Sequence, residues 1–474
     1  MAPGAVENLP VAATPVDVAK EVATSEVVPV TEEVSAPAEA PTEAPVEAPA
    51  AGVAPAEATP IDAAPAVDAA ALATTTAPAT DTAPAETASA EAAPAETTPA
   101  ETAPAEAAPA ETATEEAPAP AAASTPVWTH REPLKLSGAL DEFKSIDLTP
   151  TIGTEFPEAN LVDWLKSPNA DALLRDLAIT ISQRGVVFFR NQSNLTNDLQ
   201  KDVILRLGAL TGRPATSSLH IHPLLNSERD LGGEDPQIST ISSVQQEQYY
   251  RDAPGKASLS PKKQTRGSWH SDIAFEPVPA DYTSLRLVQL PKTGGDTLWA
   301  SGYDIYDSIS KPYQQFLETL SVTFQQPLFG QIADRSGFKL YDKPRGAPDN
   351  VGSELKAVHP VVRTNPVTGW KSIFPVGGHV SHINGVTEEE SKSLLAWFLD
   401  LVYKNHDLQV RFKWQNENDL AIWDNRSVFH TATFDIRGQG DRFGNRAVGL
   451  GERPYYDPQS TSRREELGIE HGRR

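Results

Sequence analysis

Trp269-His270-Ser271-Asp272 places a histidine and a carboxylate two residues apart. In an extended strand, residues i and i+2 share a face. Read that way, His270 and Asp272 can offer an imidazole nitrogen and a carboxylate oxygen to one metal ion, and the stretch joins the short strands around it. Two ligands make half a site. The best candidate for a second histidine is His430, which closes Trp423-Asp424-Asn425-Arg426-Ser427-Val428-Phe429-His430. Two histidines and one carboxylate form a ligand face suited to Fe(II), with coordination positions left open. Zinc more often closes a tetrahedral site with cysteine or further histidines, and this chain has no cysteine.

Immediately before this stretch, residues 226–267 are polar and rich in Gln, Lys, Pro and Ser, with a short strand at 238–242. They read as one long loop leading into the metal motif. Further upstream, apolar residues at 173, 174, 177 and 181 predict a helix over 171–183, followed by a break at Arg184-Gly185 and a buried strand at 186–189. Leu199, Val203, Leu207 and Leu210 predict a second helix over 196–210. Downstream the pattern turns to short strands separated by Gly and Pro, at 283–289, 359–363, 372–374 and 420–423. A last helix is predicted over 387–403, with Thr387 as N-cap and Glu388, Glu389 and Glu390 in its positive first turn. Many short strands with few helices predict a mainly β fold with flanking helices, a jelly-roll or double-stranded β-helix barrel.

The first 126 of the 474 residues contain no aromatic side chain and are dominated by Ala, Pro, Glu, Thr and Val. Pro-Ala-Glu recurs at 84–86, 94–96, 99–101, 104–106 and 109–111. Such a segment buries too little apolar surface to offset the entropy of ordering it. Residues 1–126 are therefore predicted to be a disordered tail, and 127–474 a single catalytic-sized domain. The tail carries 21 acidic residues and one lysine, so it accounts for about −20 of the net charge of −24. The remainder is close to neutral, which argues against nucleic-acid binding by a basic face. The absence of cysteine excludes disulfides, thiolate metal sites and cysteine nucleophiles. No stretch has the length of apolar sequence a membrane span needs, and the N-terminus lacks the features of a targeting peptide. A soluble cytoplasmic protein is the expectation, with homo-oligomerisation left open.

Five ordered motifs lie between Val186 and Tyr455: Leu219-His220-Ile221-His222-Pro223, Trp269-His270-Ser271-Asp272, Gly294-Gly295-Asp296-Thr297-Leu298-Trp299-Ala300-Ser301-Gly302, His359-Pro360-Val361-Val362-Arg363-Thr364 and Ala421-Ile422-Trp423-Asp424-Asn425-Arg426. In them the chain resembles the taurine dioxygenase family of Fe(II)/2-oxoglutarate-dependent oxygenases. The first motif, and the long insertion before the second, resemble the fungal sulfonate dioxygenase branch. The resemblance implies His270, Asp272 and His430 as iron ligands, in agreement with the reading from spacing. It implies Arg442, assisted by Thr297, as the anchor of the distal carboxylate of 2-oxoglutarate, and Arg446 as the arginine that binds a substrate anion. A guanidinium fork suits a carboxylate because it can bond bidentately. The interval from His430 to Arg442 is one residue longer than the family pattern, which places an insertion at Gly438-Gln439-Gly440.

His222 matches a residue that binds a substrate sulfonate, and Ile273 one whose backbone N–H does so. Arg266 stands where taurine-specific members have an amide, and His379 where they have a pocket phenylalanine. A cation there would repel the ammonium group of taurine by about 1 kcal/mol or more at close range. The expected substrate is therefore a small organic anion, an organosulfonate without an amine. With Fe(II), 2-oxoglutarate and O2, hydroxylation of the carbon beside sulfur would release sulfite and an aldehyde. An alkyl sulfate, an aryloxyacetate or a purine stays open as substrate, as does a non-catalytic binding module on the same barrel.

Overall fold

The computed structural model describes residues 130–226, 228, 233–250 and 269–469. The predicted tail 1–126 and Arg266 lie outside the described residues.

The largest sheet has seven strands in the spatial order Ile146–Asp147, Thr154–Phe156, Val186–Phe189, Asp419–Asp424, Ala280–Gln289, Phe443–Leu450 and Ser239–Ser242. A second sheet has Thr297–Ser301 between Gln409–Phe412 and Val428–Ala432, all antiparallel. Two smaller sheets complete the β structure among the described residues. One is Val380–Asn384, Ser321–Gln325 and Lys356–Pro360; the other is Lys371–Ile373 with Val362–Thr364.

All four residues of Val186–Phe189 are buried because both faces of the large sheet are covered. Val187 and Phe189, with Leu420 and Ile422 of the neighbouring strand, pack against the helices Leu161–Lys166, Ala170–Arg184 and Asn197–Leu210. Val186 and Phe188, with Ala421 and Trp423, instead meet Trp299, Val410, Phe412 and Val428 of the second sheet. The period of two in each strand thus divides its side chains between a helix layer and a facing sheet. The result is a mainly β architecture with helices laid on its outside.

Local signals account for the helix ends. Ala170–Arg184 stops at Gly185, where φ is +76° and an added Cβ would lie 2.7 Å from a Val428 methyl. Only glycine allows both the left-handed turn and that close approach. The predicted helix at 387–403 is Glu388–Lys404, with a capping box between Thr387 and Glu390. Those at 171–183 and 196–210 form at Ala170–Arg184 and Asn197–Leu210.

Two expectations are corrected. The strand predicted at 359–363 is two strands, because the chain changes sheet at Pro360-Val361 and proline has no N–H to continue a ladder. Nor is 226–267 one loop. The strand predicted at 238–242 does form, as Ser239–Ser242 at the edge of the large sheet against Phe443–Leu450, but an unforeseen helix, Ser243–Tyr250, follows it. Within that segment, residues 227, 229–232 and 251–267 lie outside the described residues. Among the described residues no helix is long and apolar enough to cross a membrane.

Candidate active site

His270 and His430 form an isolated antiparallel bridge, each N–H donating to the other's carbonyl at 3.1 and 2.9 Å. His430 lies in Val428–Ala432, opposite Trp299. This reciprocal pairing sets the two imidazoles side by side, with ring centroids 4.3 Å apart.

Asp272 arrives by a different route from the extended strand the spacing suggested. Only His270 is β-paired, and a turn begins at Asp272, with Ile273 at φ +58°. A β-branched residue rarely adopts that conformation. Asn425 holds the turn: its Oδ1 accepts from the Asp272 N–H at 3.1 Å and its carbonyl accepts from the Ser271 hydroxyl at 2.7 Å. The Asn425 amide in turn donates to Thr283 Oγ1 and the Asp281 carbonyl. On the far side, His359 Nε2 lies 3.0 and 3.1 Å from the carbonyls of Ala274 and Glu276. Asn425 and His359 both stand in motifs noted from sequence, yet their role in shaping this turn was not legible there.

Gly377 fits beneath the turn. At φ +90°, its added Cβ would sit 1.6 Å from the Trp269 carbonyl oxygen, while Gly378 N–H donates to that same oxygen at 3.1 Å. Gly377→Ala is expected to cost about 3 kcal/mol of stability, from backbone strain and displacement of the metal loop. Chemical denaturation of the variant checks this; an unchanged midpoint would show that the loop yields freely.

The ligand atoms of His270, Asp272 and His430 all lie within 4.8 Å of one another. Their two Nε2 atoms stand 3.8 and 3.9 Å from Asp272 Oδ1. Three further observations fit this group to a metal ion. Asp272 Oδ2 is buried and has no hydrogen-bond partner. Burial, and then the neighbouring His270, push the His430 imidazole down to about 3, so it stays neutral. Burial opposes ionisation of Asp272, but Arg446, His430 and His270 outweigh it and hold the carboxyl below its usual range. Neutral imidazole and ionised carboxylate are the forms that bind metal.

Arg446 Nη1 donates to Asp272 Oδ1 at 2.8 Å, and both side chains are buried. The sequence reading gave Arg446 a substrate anion and did not foresee this pairing. Close by, His222 Nδ1 accepts from the N–H groups of Leu224 and Leu225, at 3.1 and 2.9 Å. Burial, followed by the charge of Arg446, holds the His222 ring well below the usual imidazole range. A neutral ring with Nδ1 so occupied carries its proton on Nε2 and is a donor there. No acceptor within the described residues takes the Ile273 N–H.

A wall of rings flanks the group. His222 lies 5.1 Å from Phe329, Phe329 5.7 Å from Phe275, Phe275 5.2 Å from His379, and His379 5.4 Å from His270. Phe329 sits on the helix Pro327–Arg335, which the sequence reading missed. Pro at its first position and the apolar spacing of Phe329, Ile332 and Ala333 were the available signals. The structure thus brings His222, Ile273, His379 and Arg446 to the metal group, while Arg266 lies outside the described residues.

Arg442 occupies a separate place. Its Nε donates to the Gly295 carbonyl at 3.0 Å, and its Nη2 to Thr297 Oγ1 at 3.3 Å, a hydroxyl that also accepts from Trp414 Nε1 at 3.1 Å. Among the described residues no carboxylate pairs with this buried guanidinium, and burial pushes it down to about 10, with Asp296 offsetting only part of the effect. Thr297 is two residues from Trp299, the partner of His430 across the second sheet. The Arg442 end is therefore about 7 Å along the strand from the metal group. The turn before Arg442 contains Gly438 and Gly440, both at positive φ, where the sequence reading placed an insertion.

The family model described as taurine catabolism dioxygenase TauD, TfdA family matches residues 144–448. The alpha-ketoglutarate-dependent dioxygenase btcD of Neocamarosporium betae is 52% identical over 342 residues, covering 71% of this chain and 98% of that protein. The alpha-ketoglutarate-dependent dioxygenase esdpJ of Penicillium shearii is 46% identical over 374 residues, covering 71% and 97%. An alpha-ketoglutarate-dependent sulfonate dioxygenase of Saccharomyces cerevisiae (strain ATCC 204508 / S288c) is 31% identical over 316 residues, covering 67% and 69%. Fe(II), 2-oxoglutarate and O2 are the cofactor and cosubstrates that such enzymes share, and a two-histidine, one-carboxylate group of the required kind stands in this fold. By the extent of the family match and the identity to these enzymes, the chain belongs to the TauD/TfdA family of alpha-ketoglutarate-dependent dioxygenases.

Proposed function

We propose that this dioxygenase hydroxylates the carbon next to sulfur in a small organosulfonate, and that the hydroxylated product collapses to an aldehyde and sulfite. The observation that carries the reading is a set of donors near the His270–Asp272–His430 group: the Arg446 guanidinium bonded to Asp272, the His222 ring that feels the charge of Arg446, and the N–H of Ile273, next to Asp272 in the chain. Three donors from separate segments match the three acceptor oxygens of a sulfonate. The sulfonate dioxygenase named among the relatives supports the class, although the more similar relatives carry no substrate in their names.

His270, Asp272 and His430 would hold Fe(II), and Arg442 with Thr297 would hold the distal carboxylate of 2-oxoglutarate. When bound, the iron with 2-oxoglutarate and O2 supplies the oxidising equivalents that replace a C–H hydrogen by hydroxyl. The chain's own residues bind, orient and exclude water. The Asn425-held turn fixes Asp272, the ring wall keeps the reacting carbon dry, and Arg446 bridges the metal ligand and the substrate anion. We read the two facing sheets as the double-stranded β-helix of this fold, and residues 1–126 as a tail appended to it.

The test is a panel of alkyl sulfonates, alkyl sulfates and aryloxyacetates with Fe(II) and 2-oxoglutarate, following succinate and sulfite together. Stoichiometric sulfite and succinate with at least one sulfonate is the expected result. Succinate release stimulated only by sulfate esters or carboxylates would transfer the pocket to that head group.

A further inference from the structure

The Arg442–Thr297 end of the site has a third member. Phe412 pairs with Thr297 across the second sheet, and Trp414 follows two residues later, which brings its indole back to the Thr297 hydroxyl. Trp414 Nε1 donates to Thr297 Oγ1 at 3.1 Å, and Arg442 Nη2 donates to the same oxygen at 3.3 Å. The Arg442 guanidinium stands 5.9 Å from the centre of the Trp414 ring, within the range of a cation–π contact. The indole is fixed on both sides. Before it, Phe412 meets Trp414 edge-on at 5.1 Å and stacks on Phe188 at 4.0 Å. After it, the buried carboxylate of Asp419 accepts from the N–H groups of Gln415 and Asn416, at 2.9 and 3.1 Å.

Indole and guanidinium nitrogens only donate, so both bonds to Thr297 Oγ1 use its lone pairs. A hydroxyl has two lone pairs and one proton, and the proton is the bonding capacity that remains. We infer that Trp414 is a positioning residue of the cosubstrate site, fixing the Thr297 hydroxyl as a donor so that the site selects a distal group that only accepts, an ionised carboxylate. The inference rests on the reading of Arg442 and Thr297 as the anchor of the distal carboxylate of 2-oxoglutarate. Arg442 alone discriminates less, because the carbonyl oxygen of an amide also accepts from a guanidinium. A rotatable hydroxyl would tolerate an amide by turning its oxygen toward the amide N–H. Held by Trp414 and Arg442, it presents its proton instead, and the amide N–H meets a donor with no acceptor to take it. The indole N–H also polarises the hydroxyl and strengthens it as a donor, since linked hydrogen bonds reinforce one another.

Two unreactive analogues of the cosubstrate test this on the full-length, Fe(II)-loaded enzyme without O2: N-oxalylglycine, which ends in a carboxylate, and N-oxalylglycinamide, which ends in an amide of the same shape. Titration calorimetry reads the two dissociation constants. The wild type is expected to bind the acid about 30- to 100-fold more tightly than the amide. Trp414→Phe keeps a ring beside Arg442 and removes the N–H. It should weaken the acid about 3- to 10-fold and leave the amide unchanged, so the ratio falls by that factor. Thr297→Val should lower the ratio as well, and adding Trp414→Phe to it should change nothing further, since the indole acts through the hydroxyl. A packing role for Trp414 would weaken both analogues alike, or show its full effect again in the Thr297→Val background, and either result would overturn the inference.

A second measurement leaves Trp414 in place and decides the matter if Trp414→Phe does not fold. In the 15N–1H spectrum of the indole groups, one downfield resonance should move upfield in Thr297→Val, through loss of its acceptor. The same resonance should respond to N-oxalylglycine in the wild type. An indole spectrum unmoved by either change would overturn the inference. The anchor reading has its own control. If Arg442→Ala weakens the acid while Trp414→Phe leaves both constants unchanged, the role of Trp414 fails alone. If Arg442→Ala binds the acid as tightly as the wild type, the anchor reading fails and the inference with it.

Discussion

Alanine at His270, Asp272 or His430 is expected to weaken Fe(II) binding by more than about 100-fold, since even residues that only support metal ligands contribute 10- to 100-fold. Substrate-dependent succinate release should fall below detection in all three variants. The three should part company in stability. Asp272 is the one carboxylate, among the described residues, that pairs with the buried Arg446. Its removal leaves that guanidinium buried and unpaired, a loss on the order of 3–5 kcal/mol. His270 is only partly buried, and its loss should cost far less. Iron stoichiometry by elemental analysis and denaturation of the iron-free proteins check the two halves separately. A His430→Ala protein with full iron and activity would remove that residue from the site, and an Asp272→Ala protein as stable as the wild type would show that Arg446 finds another partner.

Arg442→Ala should raise the concentration of 2-oxoglutarate needed for half-maximal turnover by about 10- to 150-fold. This follows from a charged hydrogen bond worth about 1.5–3 kcal/mol. The guanidinium is buried without a carboxylate partner among the described residues, and its depression to about 10 records the cost of that burial. A distal carboxylate would relieve it. The wild type should therefore gain thermal stability on titration with 2-oxoglutarate, and the variant should need correspondingly more ligand for the same gain. Substrate titrations distinguish the two arginines. Arg446→Ala should raise the requirement for the sulfonate and also weaken iron binding, because Arg446 is bonded to Asp272. If Arg446→Ala lost 2-oxoglutarate affinity while Arg442→Ala lost only the sulfonate, the two roles would be exchanged.

Local periodicity was enough to place the helices Ala170–Arg184, Asn197–Leu210 and Glu388–Lys404 to within a residue or two, because each has an amphipathic repeat and a capping or breaking signal in its own sequence. The candidate metal group was legible too, since few side chains can supply it in a chain without cysteine. The path by which those residues meet was not legible. Asp272 reaches the group through a left-handed Ile273 that no propensity foretells, held by Asn425 from more than 150 residues away. The same holds for the pairing of Arg446 with Asp272, for the Trp414–Thr297 contact and for the fit of Gly377 beneath Trp269. Each depends on strands and turns distant in sequence being packed within a few ångströms. Residue type and spacing decided which groups were available for the chemistry of this protein. The long-range packing of its backbone decided their orientation and partners, because hydrogen bonds and ion pairs depend on distances that no local pattern encodes.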